Sequence, residues 1–133
     1  MKYLSIFFLF IILSCNSGTQ QFRKAENALD AGREFIDATL KGDFKKAAFY
    51  TLPDSQNITY LQQVEKAYLQ KSSTEKKEYS NAVINIKEVT DLSQNITVIT
   101  YSNSFDNKPH TIKIVYQNNQ WMVDLKYTIN GNL

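Results

Sequence analysis

The sequence predicts an α+β fold, with N-terminal helices packed on one face of a four-stranded antiparallel sheet. Two observations carry this expectation. Up to about residue 70, apolar residues recur every three or four positions, whereas from Ala82 onward they recur every second position. Three turn-forming stretches then divide the second half into four short runs. Short connections favour antiparallel neighbours. A helical layer on one face buries the apolar side of such a sheet.

The first helix is expected from about Gln21 to Leu40, with Ala25, Ala28, Leu29, Phe35, Ile36 and Leu40 on its apolar stripe. Gly42 reads as its C-terminal stop and Asp43 as the N-cap of the next helix. That second helix runs from Phe44 to about Tyr50, with Phe44, Ala47 and Ala48 on one face, and Pro53 ends it. A third helix is expected from Ser55 to Gln70, with Ile58, Leu61, Val64, Ala67 and Tyr68 inward. Ser72-Ser73-Thr74 breaks the pattern, and Glu75-Lys76-Lys77-Glu78 reads as a solvated linker between the halves.

In the second half Ala82, Ile84 and Ile86 alternate with Val83, Asn85 and Lys87. The same alternation separates Ile96, Val98 and Thr100 from Thr97, Ile99 and Tyr101, and Ile112, Ile114 and Tyr116 from Thr111, Lys113 and Val115. Trp121, Val123 and Leu125 alternate with Met122, Asp124 and Lys126. The turns are residues 91–95, Asp106-Asn107-Lys108-Pro109 and Asn118-Asn119. A four-stranded meander follows.

The first fifteen residues are of a different kind. Lys2 supplies one positive charge, and Tyr3 to Leu13 form an apolar run broken only by Ser5. A helix of eleven residues rises about 16 Å, roughly half a bilayer's hydrocarbon core. The run suits the apolar region of a secretory signal. Ile12-Leu13-Ser14-Cys15 resembles the lipobox of bacterial lipoprotein signals, although Leu13 is bulkier than the residue usual at its place. The resemblance implies cleavage between Ser14 and Cys15 and fatty acylation at Cys15. Two acyl chains or more anchor stably where one is marginal. An ordinary secretory signal and an uncleaved signal anchor are the alternatives. The expected organisation is a signal over residues 1–14, a polar tether over 15–21 and one domain over 22–133. The expected location is outside the cytoplasm. Asn16 is not the aspartate that commonly holds lipoproteins at an inner membrane, so the periplasmic face of an outer membrane is favoured where the cell has one.

Composition narrows the function classes. Cys15 is the only cysteine, so once acylated it leaves no thiol for a disulfide, a nucleophile or a zinc site. Removing fourteen residues from 133 leaves 119, one ordinary domain. Without Lys2, fourteen lysines and arginines face thirteen acids, a net charge of +1. No basic stripe marks a nucleic-acid binder.

Phe35-Ile36-Asp37-Ala38-Thr39-Leu40-Lys41-Gly42-Asp43-Phe44-Lys45-Lys46-Ala47 and Gln120-Trp121-Met122-Val123-Asp124 resemble a small NTF2-like domain of the DUF4878 type found in bacterial lipoproteins. The resemblance covers roughly residues 22–127. It implies a strongly bent sheet that forms, with the helices, a cone with a pocket, as in NTF2-like and cystatin-like folds. Homodimers through the sheet are common in that family. Its motifs are structural, so they speak to fold and not to activity.

Candidate chemistry is sparse. His110 is the only histidine and sits beside Pro109, where a surface position is the expectation. It has no second histidine and no free cysteine with which to hold a metal. The resemblance implies that a proton-moving member would place an Asp or His with a Tyr in the cone, for which Asp124 and Tyr101 are the strand candidates. The alternation turns Asp124 away from Trp121, Val123 and Leu125. Tyr50, Tyr68, Tyr101 and Trp121 are the candidate pocket residues, since aromatic rings with a polar tip suit ligand cavities. Core filling is the competing role, and Trp121 is the expected structural anchor. Asn57-Ile58-Thr59 and Asn95-Ile96-Thr97 match the N-glycosylation pattern by chance. The expected function is a non-enzymatic, membrane-anchored domain that binds a small ligand or an envelope protein, with no catalytic residue, metal or cofactor. An isomerase or hydrolase using the cone, and a purely structural envelope protein, are the alternatives.

Overall fold

A computed structural model describes residues 21–127. Ser14 and Cys15, the expected signal and most of the tether lie outside the described residues. Four helices precede four strands: α1 (Ala28–Lys41), α2 (Phe44–Phe49), α3 (Ser55–Leu69), α4 (Ser73–Ser80), β1 (Ile84–Ser93), β2 (Ile96–Asn103), β3 (His110–Gln117) and β4 (Gln120–Asp124). The strands form one antiparallel sheet in the order β1-β2-β3-β4. The α+β class and the meander are as the periodicity predicts.

Helix α1 starts later than the apolar pattern suggests, because Asn27 caps it by accepting the Asp30 N–H at 2.9 Å. The preceding segment is clamped instead by Arg23, whose guanidinium takes both Asp30 oxygens at 2.7 and 2.8 Å. At the other end Gly42 adopts φ 74° and closes the helix onto Ala38 and Thr39. Ala28, Ala31, Phe35, Ile36 and Ala38 bury the helix's apolar stripe against Ile99, Ile112, Ile114 and Val123 of the sheet. Gly32 lets the backbone approach closely, since a Cβ there would lie 2.9 Å from Ile99 Cδ1.

Helix α4 corrects the linker expectation at residues 72–78. Ser72 accepts the Glu75 N–H while Glu75 accepts the Ser72 N–H, a reciprocal capping box. The Ser-x-x-Glu spacing outweighs the serine-rich composition. In α3, Leu61 is buried and Val64 and Tyr68 are half-buried, but Ile58 is 47 % exposed and Ala67 is exposed. The inward stripe of α3 is therefore narrower than its apolar residues imply.

Strand β1 reaches Ser93 rather than ending near Lys87, because register shifts beside Lys87 and Leu92 reset its alternation. Strand β4 has its outer edge covered. Val123 donates to the Tyr50 carbonyl at 2.7 Å, and Leu52 donates to the Val123 carbonyl at 3.0 Å. Residues 50–52 thus add a short parallel bridge beside β4. The opposite edge, β1, carries its bulges and the charges of Lys87, Glu88 and Asp91, features that discourage edge-to-edge pairing.

Candidate functional site

The four aromatic pocket candidates do not share one pocket. Tyr50 is core: it is fully buried, its hydroxyl donates to the Arg23 carbonyl at 2.7 Å, and burial raises its pKa. Tyr68 lies edge-on to Phe44 and against Gly42. Trp121 is half-buried, packs on Tyr116 with centroids 5.0 Å apart, and borders shallow depressions near Ala28 and Gln94. It is an edge of the core rather than its centre.

Only Tyr101 of the four lines the cavity between the helices and the sheet. That cavity measures about 130 Å³, and its walls include Phe35, Thr39, Val64, Tyr79, Tyr101 and His110. The β2–β3 turn brings His110 there. Its Nε2 lies 2.8 Å from Asp106 Oδ2, and its ring stacks on Tyr101 at 5.2 Å. Proline fixes the turn residue before it, and Asn103 accepts the Phe105 and Asp106 N–H groups to shape the turn. His110, with 34 % of its side chain exposed, is therefore at the surface as its place beside a turn suggests, and is also a partner in this cluster. Burial opposes ionisation of Asp106, yet the Lys108 N–H and His110 outweigh it and lower its pKa. Burial raises the pKa values of Tyr79 and Tyr101, so both phenols stay protonated donors. No sequence signal singles out Tyr79, because it lies on α4, whose composition resembles a linker.

Asp124 does not join Tyr101. It is buried on the other side of the sheet, where Asn57 Nδ2 donates to it at 3.3 Å and Lys113 and Lys126 each approach to 3.8 Å. Asn57 is fully buried, so the sequon it heads has no exposed amide to modify.

A larger concavity lies outside the helix–sheet interior. Helices α2 and α3 and the loop between them form a groove of about 330 Å³, walled chiefly by Phe44, Ala48, Leu52, Pro53, Ile58 and Leu61. Thr51, Gln62 and Glu65 supply its polar side chains. The Thr51 hydroxyl is spent on the Ala47 carbonyl at 2.8 Å.

Among the described residues no three His, Cys, Asp or Glu side chains are grouped to hold a metal ion. None of the described helices is long and apolar enough to cross a membrane. No family model, no curated protein and no solved structure matches the chain.

Proposed function

We propose that this chain is an exported lipoprotein, held at a membrane by lipid on Cys15, whose NTF2-like domain binds a ligand without transforming it. The mostly apolar lining of the α2–α3 groove carries the binding reading. Small-molecule sites usually measure about 300–1,000 Å³ and are mainly apolar. The interior cavity, at about 130 Å³, falls below that range. The α2–α3 groove, at about 330 Å³, falls within it, and so do the two depressions beside Trp121, at about 420 and 480 Å³. Those depressions are lined largely by polar residues such as Asn27, Asp91, Ser93, Gln94 and Asn119, whereas apolar side chains wall most of the groove. Binding then occurs on the helical side, not inside the cone that the resemblance implies.

The anchor rests on Ile12-Leu13-Ser14-Cys15 and the apolar run before it. Fatty-acid labelling in the native cell tests it, with label retained by the wild type and absent from Cys15→Ala; label persisting in that variant refutes it. The binding site is tested by chemical-shift mapping of the processed chain with a small neutral probe such as hexanol. Shifts centred on Ala48, Leu52, Ile58 and Leu61 support the groove. Shifts centred on Tyr79, Tyr101 and His110 transfer the site to the interior.

The grouping of His110 and two phenol donors around one cavity, with Asp106 held against the imidazole, favours a second reading, a small proton-transfer enzyme. Asp106 at Nε2 would orient the ring and leave Nδ1 as the base. A substrate turned over by the wild type and not by His110→Ala would establish that reading in place of the first.

A further inference from the structure

Resting on the groove as the binding site, the geometry points to a ligand with an apolar body and a cationic end, an amphiphilic amine, held with its charge at Glu65. Three polar side chains line the groove, and Thr51 is already committed to Ala47. The remaining two, Gln62 and Glu65, lie one turn apart on the same face of α3 and so meet a ligand from one side. Neither makes a hydrogen bond or ion pair with any described residue. Glu65 is unlike the other half-buried acids, each of which has a partner: Asp43 accepts the Lys46 N–H and Asp106 faces His110. The carboxylates of Asp30, Glu34, Asp37 and Asp54, and that of the buried Asp124, each face a lysine or arginine.

The rest of the wall disfavours a polar ligand. The side chains of Phe44, Leu52, Ile58 and Leu61 offer no donor or acceptor, and the Leu52 N–H is taken by Val123. A groove of about 330 Å³ holds about ten groups the size of a water molecule, each about 30 Å³. A linear alkyl chain of six carbons with its head group fits. An anionic amphiphile of the same length would set its carboxylate against Glu65, an arrangement that like-charge repulsion disfavours. Ligand and protein exchange no covalent bond; the gain is burial of the chain plus one charge-assisted contact.

The experiment uses residues 15–133 with Cys15→Ser, which keep every described residue, and three probes: hexylammonium, hexanoate and hexanol. Chemical-shift titration is expected to place all binding at Ala48, Ile58, Leu61 and Glu65. Hexylammonium should bind at least five-fold more tightly than hexanoate, and Glu65→Gln should bring that ratio close to one while leaving hexanol unchanged. Equal binding of the three probes in the groove overturns the charge assignment and leaves the groove itself standing. Shifts nowhere in the groove overturn both. A preference for hexylammonium that survives Glu65→Gln places the anion elsewhere and also overturns the assignment.

Discussion

Asn57 Oδ1 accepts the backbone N–H of Leu125 at 2.7 Å, joining the first turn of α3 to the end of β4 across 68 residues. The same side chain donates to Asp54 at 2.7 Å and to Asp124 at 3.3 Å. One buried amide thus serves the helix cap, the strand end and a buried carboxylate. This is the polar fastening of α3, a helix whose apolar stripe is narrow.

Replacing Asn57 by Leu strands the Leu125 N–H and weakens the support of Asp124. Each buried group left unpaired costs about 1–3 kcal/mol, so a loss of about 2–4 kcal/mol in unfolding free energy is expected. Urea denaturation measures it. A change below about 1 kcal/mol would show that water replaces the amide and that the fastening is not required.

Asp54 gives this end of the fold a pH dependence. The Asn57 N–H, then the Asn57 side chain and Lys126, lower its pKa to about 2, against about 3.9 for a free aspartate. The folded state therefore favours the charged form. Its contribution is complete above about pH 5 and is lost as pH falls through about 2. Asp54→Asn keeps a capping side chain but removes the titration. The stability gap between wild type and Asp54→Asn should narrow steadily from pH 5 to pH 2. A gap independent of pH in that interval would rule Asp54 out as its source.

Gly42 and Tyr68 are coupled through space. A Cβ on Gly42 would stand 2.5 Å from the ring and hydroxyl of Tyr68, at a backbone φ of 74°. Gly42→Ala thus meets both left-handed strain, about 1–2 kcal/mol, and a clash. In a Tyr68→Ala background only the strain remains. A double-mutant cycle should give a coupling above about 1 kcal/mol; additive effects would show that the ring moves aside freely.

Gly32 separates helix propensity from packing. Alanine is about 1 kcal/mol better than glycine in a helix interior, while its Cβ presses on the mobile ends of Ile99 and Ile112. The two effects should nearly cancel in Gly32→Ala, leaving stability within about 1 kcal/mol of wild type. Gly32→Val adds two further methyl groups at the same point and should cost about 1–3 kcal/mol through overpacking. Thermal unfolding of both variants checks this, and a stabilised valine variant would contradict the close approach.

The α+β class, the four-stranded order, the Gly42 stop and the Asp43 cap are legible in the amino-acid order alone. Each depends on local chemistry: the period of apolar residues, the φ freedom of glycine and the reach of a short carboxylate. Ser72 and Glu75 carried an equally local signal, masked by a composition that resembles a linker. The interior grouping of Tyr79, Tyr101, His110 and Asp106 was decided by tertiary structure, because those residues come from a helix, two strands and a turn. So was the burial of Asn57, since a polar residue at the start of a helix is ordinarily solvated. The α2–α3 groove follows the same logic. Ile58 and Leu61 read alike in sequence, but only Leu61 meets the core, and Ile58 is left to form a wall. Periodicity tells which residues share a face; only the packing of one element on another tells which part of that face is covered.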